Sequence, residues 1–198
     1  MILTLAVAAG LAVGWGWARW RRQPYRPPEF CCLWLVFAAF LPQFVVIYLP
    51  SARFSPDWLT IVLLTASQTA FLGFVWLNRR AAGLFFLLCG VILNLSVMTA
   101  NGGFMPISPQ TASRLVTEEK RQSLQVGGRF GAKDILLPPQ DTRLEWLTDR
   151  FLTPPWFPYR AAFSLGDIFI AFGAFWALAK PHTMSESFRR GVSNGHIV

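Results

Sequence analysis

Histidine is nearly missing from this chain: there are two, His182 and His196, and both lie in the polar C-terminal tail. Membrane-embedded haem b and most intramembrane copper or iron sites take imidazole ligands. No apolar segment here supplies one, so neither a metal nor a cofactor is expected. Cysteine is scarce too. Cys31, Cys32 and Cys89 fall inside apolar segments and form no C-x-x-C pair. That excludes a thiolate zinc site and a disulfide framework, and leaves them reading as small buried hydrophobes. Charged residues make up only 14% of the chain, against roughly a quarter in an ordinary soluble domain. The patterns G-x-x-x-x-G-K-[ST], H-E-x-x-H and G-x-S-x-G are absent, so P-loop, zincin and serine-hydrolase chemistry have no support.

What is present is apolar mass. Hydrophobic residues make up 54% of the 198, with nine Trp and 18 Phe. Such aromatic weight suits a surface that contacts lipid, with Trp near the headgroups. The formal charge is +8, from 18 Lys+Arg against 10 Asp+Glu. No RNA- or DNA-reading motif accompanies it and most of the excess sits beside apolar runs, so the expected partner is a lipid bilayer, not nucleic acid.

Five apolar segments predict an all-α, polytopic membrane domain over residues 1–198. The spans run from about Ile2 to Trp17, Phe30 to Leu49, Trp58 to Leu77, Ala81 to Ala100 and Ala161 to Ala179. Each of the last four has about 19–20 residues, enough at 1.5 Å per residue for a hydrocarbon core of about 30 Å. The first is short, but positive charge follows it and does not precede it, which disfavours a cleaved signal peptide. Its Gly10 and Gly14 could admit a close neighbouring helix. Pro42 interrupts the second span and frees a backbone carbonyl that a neighbour must satisfy. Arg19, Arg21, Arg22, Arg26, Arg79, Arg80 and Lys180 lie on one side only if the N-terminus is outside and the C-terminus cytoplasmic. Residues 101–160 then form one long extracytoplasmic loop and 180–198 a cytoplasmic tail. Within the loop, Ser108 and Pro109 predict the start of a helix ending near Gln125, and a second short helix is expected from Asp141 through Leu147.

Asp167 is the charge inside a span, and a carboxylate at membrane depth marks a functional position. Gln43, Asn94 and Asp167 each lie six residues from the outer end of their segments, about 9 Å deep, with Gln68 deeper still. These side chains predict a polar cluster around Asp167. It reads either as hydrogen-bonded glue between helices or as a ligand- or proton-binding site.

Two resemblances follow from the motifs. Phe163-Ser164-Leu165-Gly166-Asp167 resembles the Phe-Asn-x-Ala-Asp motif of bacterial lipoprotein signal peptidases. That implies an intramembrane aspartyl hydrolase with Asp167 catalytic, but Asn101 stands where the second acid belongs, and only Asp149 could replace it. The run Asn101-Gly102-Gly103-Phe104-Met105-Pro106-Ile107-Ser108 is similar to the Asn-Gly-Gly-aromatic-Met-Pro-Val-Ser signature of an uncharacterised bacterial family of small multi-pass membrane proteins. Asp141-Thr142-Arg143-Leu144, Trp146-Leu147-Thr148-Asp149 and the Asp167 motif follow in that family's order. The resemblance implies an inner-membrane protein and marks Asn101, Gly102, Gly103, Met105, Pro106, Asp141, Asp149, Gly166 and Asp167, but it implies no activity. The leading expectation is a non-enzymatic component, either an accessory subunit bound to another membrane protein or a ligand- or lipid-binding protein, with a polar site around Asp167. A hydrolase and a proton- or solute-conducting subunit are the alternatives, the last only within an assembly because no inverted repeat of spans is visible.

Overall fold

A computed structural model describes residues 2–48 and 56–180. The expected tail, with both histidines, and residues 49–55 of the second connection lie outside the described residues. The chain is mostly helical. Five long helices are α1 (Ile2–Trp20), α2 (Trp34–Tyr48), α3 (Asp57–Leu77), α4 (Leu84–Ala100) and α7 (Leu165–Ala179), the last reached through a connection that holds two short α-helices and five short strands. By length and composition, α1 and α3 are long enough and apolar enough to cross a membrane, while α2, α4 and α7 are shorter apolar helices.

Helix α7 packs between α1 and α4, α3 lies on α4, and α2 lies on α3. Gly10 and Gly14 of α1 face Phe175 and Leu178, whereas Gly83 and Gly90 of α4 face Gly173 and Gly166. Helices α1, α3 and α7 therefore run one way and α2 and α4 the other. Close approach sets this arrangement. A Cβ on Gly10 would come within 2.8 Å of the Phe175 carbonyl oxygen, and one on Gly90 within 2.7 Å of Ile170 Cγ1. Pro42 lies inside α2 and leaves the Ala38 carbonyl without its helical donor, and the neighbouring Ala39 carbonyl accepts from the Ser67 hydroxyl of α3.

The connection between α4 and α7 departs from the all-helical expectation. Strands β1 (Met105–Ile107), β2 (Arg129–Phe130) and β3 (Asp134–Leu136) form a sheet of order β1-β3-β2, with β1 parallel and β2 antiparallel to β3. Strands β4 (Phe151–Leu152) and β5 (Ala162–Phe163) pair antiparallel. The helix expected up to Gln125 begins as expected, capped by Ser108, but exists as two pieces, α5 (Pro109–Ser113) and α6 (Glu118–Arg121). Leu115 and Leu124 both pack on the Ile107–Leu136 cluster. Nine positions apart, they would face about opposite sides of one continuous helix, so the break lets both be partly covered by the same cluster. The helix expected over Asp141–Leu147 is instead two 3-10 turns, Pro139–Asp141 and Glu145–Leu147, separated by Leu144 at φ +55°. The α7 helix starts four residues later than expected, because β5 uses the preceding residues and Ser164 is the N-cap. Similarly α4 starts at Leu84, after Gly83 at φ +79°, and α2 at Trp34, while α1 runs on to Trp20.

The α4–α7 crossing sets a prediction. Gly90→Leu should lower stability by about 1–3 kcal/mol through overpacking. Gly16→Leu, on α1 where nothing lies within 4 Å, should leave it nearly unchanged. Thermal denaturation of the two purified variants checks the pair.

Candidate functional site

Asp167 is the third residue of α7 and closes a capping box. Its backbone N–H donates to Ser164 Oγ at 3.0 Å, and its Oδ2 accepts from the Ser164 N–H at 3.1 Å. Asn94, on α4, completes a ring: its Nδ2 donates to Asp167 Oδ1 at 2.9 Å and its Oδ1 accepts from Ser164 Oγ at 2.9 Å. Both Asp167 oxygens are thus used to fix the start of α7. Gly166 makes room, since a Cβ there would collide with the Asn94 amide. Asn94 and Asp167 meet, although Asp167 lies in the first turn of α7 and not six residues inside it as expected. Gln43 does not join them. It lies on α2, which packs on α3, and among the described residues it makes no hydrogen bond to either. Gln68 has a buried Oε1 without a partner.

The Asn101-Gly102-Gly103 turn does a different job from its neighbours. Asn101 Nδ2 donates to Val97 O and Arg143 O, both at 2.8 Å, and its Oδ1 accepts from Arg143 N at 2.9 Å. One side chain thereby ties a remote peptide to the end of α4. Gly102 and Gly103, at φ +79° and +95°, reverse the chain, and Gly103 N–H closes the helix on Met98 O at 2.7 Å. Met105 and Pro106 are then buried in β1. Asp141 is exposed in its 3-10 turn and has no side-chain partner among the described residues.

The buried charges gather elsewhere, around Asp149. Its N–H donates to Pro106 O at 3.2 Å, which docks it beside β1, and only 1% of the residue is exposed. Lys133 Nζ lies 2.6 Å from Asp149 Oδ2 and 3.1 Å from Asp134 Oδ1, while the lysine stem remains 38% exposed. Oδ1 of Asp149 is buried without a hydrogen-bond donor among the described residues, and Oδ1 of Asp134 faces only the Lys133 ammonium. Burial pushes Asp134 up to about 7, with Lys133 pulling against it and Asp149 and Asp167 adding to the rise. Burial raises Asp149 as well, again opposed by Lys133. For Lys133, burial works against the charge, but Asp134, Asp149 and Asp167 outweigh it and hold the ammonium well above the ordinary lysine range. Lys133 thus stands between two carboxyls, with Asp149 the closer of the two.

A cavity of about 140 Å³ opens beside Asp149 and is bounded by Ser108, Thr111, Thr142, Thr148 and Arg150. The arrangement can bind a proton and accept hydrogen bonds from a small donor-bearing molecule. Lys133 and Asp134 were missed from sequence. The only hint was a charged pair directly before the apolar run Ile135-Leu136-Leu137, where the chain must bury what precedes it.

A model of a family of unknown function (DUF5317) matches residues 28–179. No curated protein and no solved structure matches the chain.

The raised Asp134 carboxyl gives a pH prediction. The folded protein holds that proton more tightly than the unfolded chain, whose value is near 3.8. Its contribution to stability is full below that pH and is lost as pH rises through about 7. Asp134→Asn should remove this falling component, seen as a flatter unfolding free energy between pH 4 and pH 7 in denaturant titrations.

Proposed function

The chain belongs to this family of unknown function, and on that premise we propose that it is an integral membrane protein whose α4–α7 connection caps the bundle and binds a small polar ligand. The observation that carries the reading is the Lys133–Asp134–Asp149 cluster, whose buried Asp149 lines the cavity. Two carboxyls share one lysine, with Asp167 within electrostatic reach. A net negative interior of this kind suits a ligand with hydrogen-bond donors or positive charge, such as a small amine. The protein acts as a binding or accessory component, with another membrane subunit as its natural partner.

The membrane setting draws support from exposure. Only 17% of the apolar window of α1 and 28% of that of α3 are buried, whereas an apolar core helix of a soluble protein would be mostly covered. Leu33, Trp34, Phe37, Phe40, Leu41 and Phe44 lie exposed on or next to α2, as lipid-facing side chains do. At the end of the bundle where α1, α3 and α7 finish, Arg21 lies over Trp17 and Arg79 over Trp76, with Arg19, Arg22, Arg80 and Lys180 nearby in sequence. A basic, tryptophan-rich end fits the cytoplasmic headgroups and orients five spans with the N-terminus outside, the cap outside and the tail inside.

The hydrolase alternative is less well supported. Asp167 has both oxygens occupied by Asn94 and Ser164, so it is poorly placed to activate water. The ion pair at 2.6 Å likewise keeps Asp149 engaged. A role for Asp167 as the positioning group of α7 accounts for its bonds.

Two outcomes test the proposal. With Cys31, Cys32 and Cys89 replaced by Ser, a single cysteine at Val126, an exposed loop position, should react with a membrane-impermeant maleimide in right-side-out spheroplasts. Labelling only after lysis would reverse the orientation. In a thermal-shift panel of small primary amines and guanidines, at least one should stabilise the purified protein. Asp149→Asn should abolish that shift and Asp141→Asn should preserve it.

A further inference from the structure

Adjacent side chains rarely meet, because they point to opposite faces of a strand and well apart around a helix. Cys31 and Cys32 are an exception, with their sulfurs 3.4 Å apart. They occupy the turn that leads into α2, at the arginine-rich end of the bundle and far in sequence from the cap. Two features hold the pair in place. Cys32 has φ +54°, a left-handed conformation that a residue with a side chain adopts only under constraint. Asn78, buried at the end of α3, supplies that constraint: its Oδ1 accepts from Cys31 N at 2.8 Å and its Nδ2 donates to Cys31 O at 2.9 Å. The same Nδ2 donates to Phe74 O at 2.8 Å, and the Phe30 ring meets that of Phe74 edge-on at 5.6 Å. The turn is therefore anchored on both sides of the first cysteine. Cys31 is exposed and Cys32 partly so, so a small reagent can reach both sulfurs.

We propose that Cys31 and Cys32 form a chelating dithiol site for a trivalent arsenical. Two sulfurs this close suit neighbouring positions of a trigonal pyramidal centre. A linearly coordinated soft ion would need them on opposite sides. A tetrahedral zinc ion would need further protein ligands, and no group of three His, Cys, Asp or Glu converges among the described residues. Capture is a substitution without redox change. An organic arsenoxide loses its oxygen as water, which takes up both thiol protons, and two S–As bonds form in place of the As–O bonds. Asn78 limits the conformational freedom the pair must lose on binding, and that pre-organisation favours the chelate over two independent thiols.

The test uses the full-length purified protein carrying Cys89→Ser, titrated with phenylarsine oxide while free thiols are counted. One equivalent should remove both remaining thiols, and dimercaptopropanol, but not mercaptoethanol at the same thiol concentration, should restore them. Cys31→Ser and Cys32→Ser, each with an unchanged melting profile, should bind about 10²-fold more weakly, the usual gain from linking two contacts. Consumption of two equivalents, reversal by mercaptoethanol alone, or a monothiol variant that binds as tightly as the pair would overturn the site. The reversal arm needs no substitution in the pair and decides the matter even if a serine variant fails to fold.

Discussion

Helices α4 and α7 touch almost backbone to backbone, and most of the molecule follows from that. Gly90 and Gly166 leave no side chain in the way, so the Asn94 amide can reach across and close a ring with Ser164 and Asp167. A side chain at either glycine would separate the partners beyond hydrogen-bond length. The ring fixes where α7 begins, and so where β5 ends and how the cap returns to the bundle. Small residues where helices cross, with a polar bond beside them, are the usual means of association when lipid removes the hydrophobic drive between helices.

The cap follows a different rule. Its sheet is small and its apolar cluster holds little more than Ile107, Ala112 and Leu136, too little to stand alone. It is set on the bundle through Met105 and Phe104, which join the cluster of Val97, Met98, Leu64 and Val46. Between these apolar parts lie one lysine and two aspartates. Burying an ion pair seldom adds stability over apolar side chains of similar size, and a surplus carboxyl adds less.

Much of this was legible in the sequence, and the failures have physical causes. The apolar segments announce themselves because long hydrophobic runs stand out from polar connections, and each became an apolar helix, two of them long enough to cross a membrane. The meeting of Asn94 with Asp167 was expected from counting inward from the segment ends, but α7 begins at Leu165 and Asp167 reaches Asn94 from its first turn. Gln43 had the same depth but a different neighbour, and depth carries no information about which helix packs on which. The helix boundaries moved where a polar residue, Ser164, took the cap and released its predecessors to a strand. Asp134 and Lys133 escaped notice because their burial depends on a parallel strand nearly thirty residues away, a non-local pairing with no periodic signature. The left-handed Cys32 was invisible for the same reason: its constraint comes from Asn78, on another helix.

The grip of Asn101 on the Arg143 peptide reshapes the folding of the cap. A connection of about sixty residues would have to be ordered as one loop, and closure grows more costly, though slowly, with length. The amide bridge spans 42 positions and divides that chain into a large lobe and a short returning arm. Lobe and arm still meet at Asp149, whose N–H donates to Pro106 O and whose carboxyl pairs with Lys133. The bridge therefore shortens the loop each part must close while leaving the two locked together at that one residue.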